Sequence, residues 1–545
     1  SARRKRSTMY DASPAEKPEI HLDGHHLGMD EVYRVSTLRD GARLDLSEDA
    51  VLRMKKSLHV KEALIESGIP IYGVTTGFGD SSSRQISPEK TVALQRNLLR
   101  FLRVGTGPVA PDEVIRATML IRANCAARGH SAIRQEPVRL ILDMLHHNIL
   151  PQIPERGSVG ASGDLAPLSY LAASLTGEGT VTYRGERMPA AEALRAAGLQ
   201  PVELQAKEGL ALVNGTSFMS AYLTLAFTEA RELAWCAELC TALAAEVRRS
   251  SKDQFTAFPH INKPHPGQIT SADNIRQMLE GSALIGADAD LRGGDMDEGV
   301  TYRELERGIQ DPYSIRCAPH VIGVLRDTLQ WAEQWIANEI NSSNDNPLFD
   351  AQSSLVHNSG NFYGGHVAQA ASALATAVAS VGDLLDRQVQ LLVDPKFSLG
   401  LPANLIAPVK ATDPAAGLHH GFKGAQIAAS ALTAEALHLT MPVSSFSRST
   451  EAHNQDKVSM GTIAARHART AVALISEVTA IHLVALCQAA DIIGTDGLGP
   501  RTTRAHRHLR GIVPFVQEDR PLGDEFQRTA RLLIDGSLRR AVMAG

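Results

Sequence analysis

The stretch "VAQAASALATAVASVGDLL", residues 367–385, is built almost wholly of Ala, Val, Leu and small polar residues. Drawn on a helix of 3.6 residues per turn, its apolar positions cover most of the circumference. Such a helix is buried on several sides, as in the middle of a bundle or an oligomer. The segment from Val321 has a plainer pattern. Val321, Leu325, Leu329, Ala332, Ile336 and Ile340 recur at steps of four and three and make one apolar stripe. Patterns of this kind predict long helices over 218–249, 320–341, 365–393, 424–440 and 457–492. The expected fold class is therefore mostly α, with a long-helix central bundle.

Ahead of residue 218 the chain is mixed, with several helices and short strand candidates near Glu19–Leu22 and Thr180–Tyr183. The expected organisation is a disordered tail over 1–20, an N-terminal domain over 21–217, the bundle over 218–492 and a helical C-terminal segment over 493–545. The "ARRKR" run at the start is the one basic block and reads as a solvated tail. With 545 residues and 43% hydrophobic content, the chain is long enough for a large core. A charged fraction of 21% and a net charge of −5 imply neither nucleic acid nor an anionic membrane surface as partner. No run of eighteen apolar residues and no signal-type apolar segment is found.

Five scattered cysteines (Cys125, Cys236, Cys240, Cys317, Cys487) fit a reducing, cytoplasmic setting. Cys236 and Cys240 fall at i,i+4 in an apolar helix, which is core placement. There are 20 histidines but no H-E-x-x-H, and the pairs His146-His147 and His419-His420 diverge on a helix. No metal is expected.

The loops between the helices are rich in amides and glycine: "LVNGTS" 212–217, "NSSNDNP" 341–347, "HNSGNFYGG" 357–365 and "EAHNQD" 451–456. Each suits a turn or cap. Together they suit a polar site beside buried helices. A further loop, "RGSVGASGDLAPLSY" 156–170, opens a helix but lacks the spacing of a phosphate-binding loop. Its triplet Ala161-Ser162-Gly163 is open to two readings. It is a plain turn, or it is the precursor of an electrophile. In the second reading the Gly163 nitrogen closes on the Ala161 carbonyl carbon, water is lost, and loss of the Ser162 hydroxyl leaves a methylidene. Side chains supply no electrophile, so a reaction needing an electron sink has to borrow one or build it. Glycines favour the strained backbone that ring closure demands. The helix starting near Pro167 would turn its positive end toward the group.

"GSVGASGDLAPLSYLA" resembles the signature of the aromatic amino acid and histidine ammonia-lyase family. The resemblance runs from about residue 20 to 520 and includes "YGVTTGFG" 72–79, "EGLALVNGTS" 208–217, "YSIRCAPH" 313–320, "NSSNDNP", "GNFYGG" 360–365, "GFKGAQIA" 421–428 and "HNQDKVSMG" 453–461. It implies the ammonia-lyase fold, with an N-terminal region bearing 4-methylidene-imidazol-5-one (MIO) formed from Ala161-Ser162-Gly163. It also implies a homotetramer whose active sites draw on several subunits, and the elimination of ammonia from an amino acid.

By the same resemblance Tyr72 is the base for the β-proton, although on the local sequence alone a core Tyr beside a Gly-rich turn is the better reading. A free phenol, with a pKa of about 10, needs nearby positive charge or helix termini to act at neutral pH. Asn214 hydrogen-bonds the MIO oxygen, and Tyr313 helps to hold the MIO or the substrate. Arg316 binds the carboxylate, for which its planar fork is suited. Tyr313 and Arg316 share a face if helical. Gln310, Asn344, Asn361, Phe362, Glu451 and Gln455 match other active-site positions, and Glu451 and Gln455 are i,i+4 neighbours if helical.

Family members that use histidine carry Glu in place of Gln455 and Met in place of Lys423. The ring pocket falls at Phe101-Leu102, where tyrosine-using members place His second. A buried substrate hydroxyl facing Leu would lack a partner, at a cost of roughly 1–3 kcal/mol. The reading is an L-phenylalanine ammonia-lyase giving trans-cinnamate. Alternatives are a MIO-dependent phenylalanine/tyrosine 2,3-aminomutase or a tyrosine ammonia-lyase, and, from another class, a non-catalytic helical scaffold or binding protein.

Overall fold

The computed structural model describes residues 18–291, 294–305 and 307–544. The basic run and most of the 1–20 tail lie outside the described residues. The protein is 57% helical with few strands, the mostly α class expected. It divides into two compact units. One takes the described residues up to Gly157 with Ser162–Phe218 and Ile340–Phe362. The other takes Ser158–Ala161, Met219–Glu339 and Tyr363 onward.

In the first unit the Asp112–Ala127 helix is buried along nearly its whole length. The Gln135–His146 helix packs on it. The helices Thr91–Leu102, Leu165–Leu175 and Glu208–Val213 pack on one another. Two strands, Glu19–Leu22 and Arg43–Leu46, pair in parallel. Thr180–Tyr183 lies antiparallel to Leu150–Pro151 and to Glu186–Pro189. The two strands expected from sequence are both present with the expected bounds.

The second unit is built on long helices. Ser217–Val247, Ala318–Ile340, Gly365–Val393, Lys423–His438 and Gly461–Ile493 fall within a few residues of the expected spans. Gly365–Val393 lies against Gly461–Ile493, and a Cβ on Gly382 would come within 2.1 Å of Ile475 Cδ1. Glycine is what allows so close an approach. Both helices are long and apolar enough by composition to cross a membrane, yet most of each is buried within the structure. Burial of Gly365–Val393 is not complete: Gln369, Thr376, Ser380 and Arg387 keep a narrow exposed stripe. The Val321 stripe also shifts in phase. Ile322, Leu325, Leu329, Ala332, Ile336 and Ile340 are buried, and Val321 is only half-buried. Cys236 and Cys240 sit in the core.

Candidate active site

Ser162, Gly163 and Asn214 meet within the first unit. Gly163 and Gly215 form an isolated parallel bridge. Asp164 N donates to Gly215 O (2.7 Å) and Gly215 N donates to Ser162 O (3.2 Å). The Asn214 side chain adds a second donor to the same oxygen, Nδ2 to Ser162 O at 3.1 Å. Gly163 has φ +69°, and a Cβ there would lie 1.9 Å from Gly215 O. Position 163 therefore has neither the backbone conformation nor the room for a side chain. Asn214 is 4% exposed, and its Oδ1 has no hydrogen-bond partner among the described residues.

Ala161 belongs to the second unit. It packs with Val458 and Met460, while Met460 N donates to Val159 O (3.0 Å) and Ser459 Oγ to Gly160 O (3.1 Å). The backbone is thus pinned on both sides of the triplet. The helix expected near Pro167 is Leu165–Leu175, with Pro167 in its first turn.

Other predicted residues of the first unit occupy the surrounding loops. The Tyr72 hydroxyl oxygen accepts from Gly79 N at 2.8 Å. The Tyr72 loop is tied down by Gln95. Its Nε2 donates to Gly73 O (3.0 Å) and its Oε1 accepts from Leu210 N (2.9 Å). Leu210 lies on the helix that ends at Asn214. Phe101 is exposed at the end of its helix with its ring 6.5 Å from that of Phe78, and Leu102 is half-buried. Asn361 Nδ2 donates to Ser343 O (3.0 Å), and Phe362 is half-buried. Asn344 is buried, and its Oδ1 accepts from Arg122 Nη2 at 3.2 Å.

In the second unit Tyr313–Arg316 is a short helix, as the shared face of the two side chains requires. The Arg316 guanidinium lies 4.9 Å from the Tyr313 ring centroid, and its Nε donates to Asp311 O (2.7 Å). The i,i+4 expectation for Glu451 and Gln455 is corrected. Glu451, Ala452 and His453 all have left-handed φ, and Thr450 and Gln455 close the turn as an antiparallel bridge. Glu451 accepts from Asn454 Nδ2 (2.9 Å), and Gln455 Oε1 accepts from Thr450 Oγ1 (2.7 Å). Three consecutive left-handed residues exclude a helix whatever the amide content of the loop. Lys423 opens the Lys423–His438 helix, exposed, and Gln310 is exposed as well. Among the described residues, neither hydrogen-bonds another predicted site residue of its unit.

Arg122 and Gln95 were missed by sequence reasoning. The signal for Arg122 was available: a lone Arg amid "TMLIRANCAA" is out of place in a helix that buries every side.

A sequence model described as aromatic amino acid lyase matches residues 27–511. The chain belongs to the aromatic amino acid lyase family. It is 40% identical over 528 residues to the MIO-dependent tyrosine 2,3-aminomutase of Streptomyces globisporus, covering 96% of each. The solved structure of tyrosine aminomutase from that organism superposes with a TM-score of 0.90 at 38% identity, over 97% of this chain and 98% of that one. A tyrosine ammonia-lyase of Cupriavidus metallidurans is 40% identical over 536 residues, covering 97% of this chain and 98% of its own. The Pantoea agglomerans phenylalanine aminomutase structure gives a TM-score of 0.89 at 34% identity, over 95% and 99%. This member of the lyase family is accordingly an enzyme with the ammonia-lyase fold, acting on an amino acid, and MIO is expected in it. A scaffold without catalysis is set aside by these findings.

Proposed function

We propose that this lyase eliminates ammonia from L-phenylalanine to give trans-cinnamate, with MIO formed from Ala161, Ser162 and Gly163. The observation that carries the reading is the Ser162 carbonyl oxygen with two N–H donors upon it, beside a glycine that admits no Cβ. These residues fit the group: the donors address the oxygen that becomes the ring carbonyl, and the position whose nitrogen must close the ring is a glycine with left-handed φ. When formed, MIO supplies an electrophile that makes the substrate amine a better leaving group. The chain's own residues do the rest. Arg316 binds the carboxylate, and Tyr313, whose ring lies beside that guanidinium, helps to hold the MIO or the substrate. Tyr72 takes the β-proton on its hydroxyl oxygen. Phe101 and Leu102 give the ring an apolar surface, and Phe362 walls the site near the MIO. Glu451 and Gln455 address the amine, with Gln310, Asn344, Asn361 and Lys423 completing the wall.

The proposed assembly is a cytoplasmic homotetramer whose sites combine residues of several copies. The proposed domain map is a MIO-bearing region over 21–217, a bundle over 218–492 and a C-terminal segment over 493–545. A second reading is a 2,3-aminomutase acting on phenylalanine or tyrosine. The aminomutases among the similar proteins favour it. Leu102 weighs against tyrosine, since the substrate hydroxyl would be desolvated without a partner. Incubation with L-phenylalanine followed by NMR separates the readings. Cinnamate as product supports the lyase, β-phenylalanine supports the mutase, and turnover of tyrosine alone overturns the phenylalanine assignment.

A further inference from the structure

Arg122 is 1% exposed, in the middle of a helix that is buried from Val114 to Ala127. Its described partners are neutral. Nη1 donates to the Asn214 carbonyl oxygen at 2.8 Å and Nη2 to Asn344 Oδ1 at 3.2 Å, and Nε has no partner among the described residues. A buried guanidinium without a carboxylate costs stability, and an apolar side chain of similar volume would fill the space at less cost. What the charge touches is therefore informative. The Asn214 carbonyl belongs to the same peptide group as Gly215 N–H. That N–H donates to Ser162 O at 3.2 Å. Guanidinium, peptide group and Ser162 carbonyl form a chain of hydrogen bonds in which each polarises the next. The close approach also explains Gly215, since a Cβ there would lie 2.2 Å from Arg122 Nη1.

We infer that Arg122 is a positioning residue for the maturation of the triplet, which drives the Gly215 N–H onto the Ser162 carbonyl oxygen through the Asn214–Gly215 peptide. The inference rests on the MIO reading above. The chemistry asks for charge at that oxygen. Closing the Gly163 N to Ala161 C bond expels the Ala161 oxygen as water, together with the Gly163 and Ser162 amide hydrogens. The second water takes the Ser162 Oγ and Hα. As Hα departs, its electron pair is shared with the Ser162 carbonyl and negative charge gathers on Ser162 O. Donors fixed beforehand at that oxygen stabilise it without reorganisation. Arg122 strengthens one of them from a place that neither substrate nor solvent reaches.

The test is intact-mass spectrometry of full-length protein sampled during maturation, with the near-ultraviolet absorbance of the folded product. Arg122→Met and Arg122→Gln remove the charge; Arg122→Lys keeps it. Helix content by circular dichroism identifies the folded variants. The neutral variants are expected to lose their two waters at least about ten-fold more slowly than wild type, equivalent to about 1.4 kcal/mol in the barrier. Arg122→Lys is expected to recover most of the rate. The absorbance band of the matured neutral variants shifts, because the same oxygen is part of the conjugated group. A folded neutral variant that matures at the wild-type rate with an unshifted band overturns the inference. So does a folded Arg122→Lys as slow as the neutral variants. If Arg122→Met does not fold, Arg122→Gln and Arg122→Lys decide. Wild-type protein that retains both waters would instead overturn the MIO reading, a distinguishable result.

Discussion

Replacing Gln95 by Met keeps the length of the side chain and removes both of its polar atoms. Gln95 is fully buried, and each end of its amide satisfies one backbone group: the Gly73 carbonyl at 3.0 Å and the Leu210 amide at 2.9 Å. Leu210 lies in the first turn of its helix, where no intrahelical acceptor exists for its N–H. Methionine leaves both backbone groups buried without partners. At about 1–3 kcal/mol for each, the loss is about 2–6 kcal/mol, a large part of the net stability of an ordinary domain. The damage falls where function is placed, since Gly73 follows Tyr72 and the Leu210 helix ends at Asn214. Two assays read it. The thermal or urea midpoint should fall, and hydrogen exchange of the peptide covering 208–213 should quicken beyond that of the remaining helices. Turnover should drop with kcat rather than with KM. Gln95→Glu, which keeps the acceptor for Leu210 and sets an oxygen against Gly73 O, should be intermediate in exchange at 208–213. An unchanged midpoint with unchanged exchange over 208–213 in Gln95→Met refutes the reasoning.

Other expected outcomes are as follows. Ser162→Ala keeps helix content but loses nearly all activity; near-wild-type turnover would contradict the role of its hydroxyl. Tyr72→Phe keeps the near-ultraviolet band and lowers kcat by roughly 10²-fold or more, so retention of a tenth of the rate would exclude it as the base. Leu102→His raises the tyrosine-to-phenylalanine ratio of kcat/KM by roughly ten-fold, since a recovered buried hydrogen bond and relief of an unpaired hydroxyl together reach about 1.4 kcal/mol; a flat ratio in a folded variant would remove Leu102 from the ring pocket. Burial pushes the His482 imidazole from 6.5 down to about 3, while its Nε2 bonds Gln388 Oε1 at 2.9 Å. The unfolded chain therefore binds more protons between about pH 3 and 6.5, so this contribution to stability is full above that window and is lost as pH falls through it. His482→Gln should flatten the fall of the unfolding midpoint over that range, and an unaltered slope would discount His482.

The long helices were legible because their apolar periodicity is a local property, and it gave all five within a few residues. Its errors came from neighbours. The stripe begins at Ile322 rather than Val321, whereas the burial of Gly365–Val393 on several sides, with a narrow polar edge left exposed, follows the expectation. The family was legible from motifs spread along the chain, the triplet among them. The loop at 451–456 was legible as well, but the left-handed φ of Glu451, Ala452 and His453 within it was not, because amide-rich sequence serves a cap, a helix start or a left-handed turn alike. Gln95 and Arg122 act on backbone groups 115 and 92 residues away, and such pairings leave no periodic trace. Only the oddity of a charge or an amide on a buried face hints at them. The two donors on Ser162 O likewise depend on a bridge between Gly163 and Gly215 that tertiary folding alone creates.

Everything proposed for this lyase depends on Ala161, Ser162 and Gly163 having become an electrophile. Mass spectrometry of the purified active enzyme, intact and after digestion, tests it most directly. The expected chain is lighter than its sequence by two waters, with the deficit confined to the peptide holding 161–163 and abolished in Ser162→Ala. An active enzyme whose triplet peptide has its full mass would contradict it.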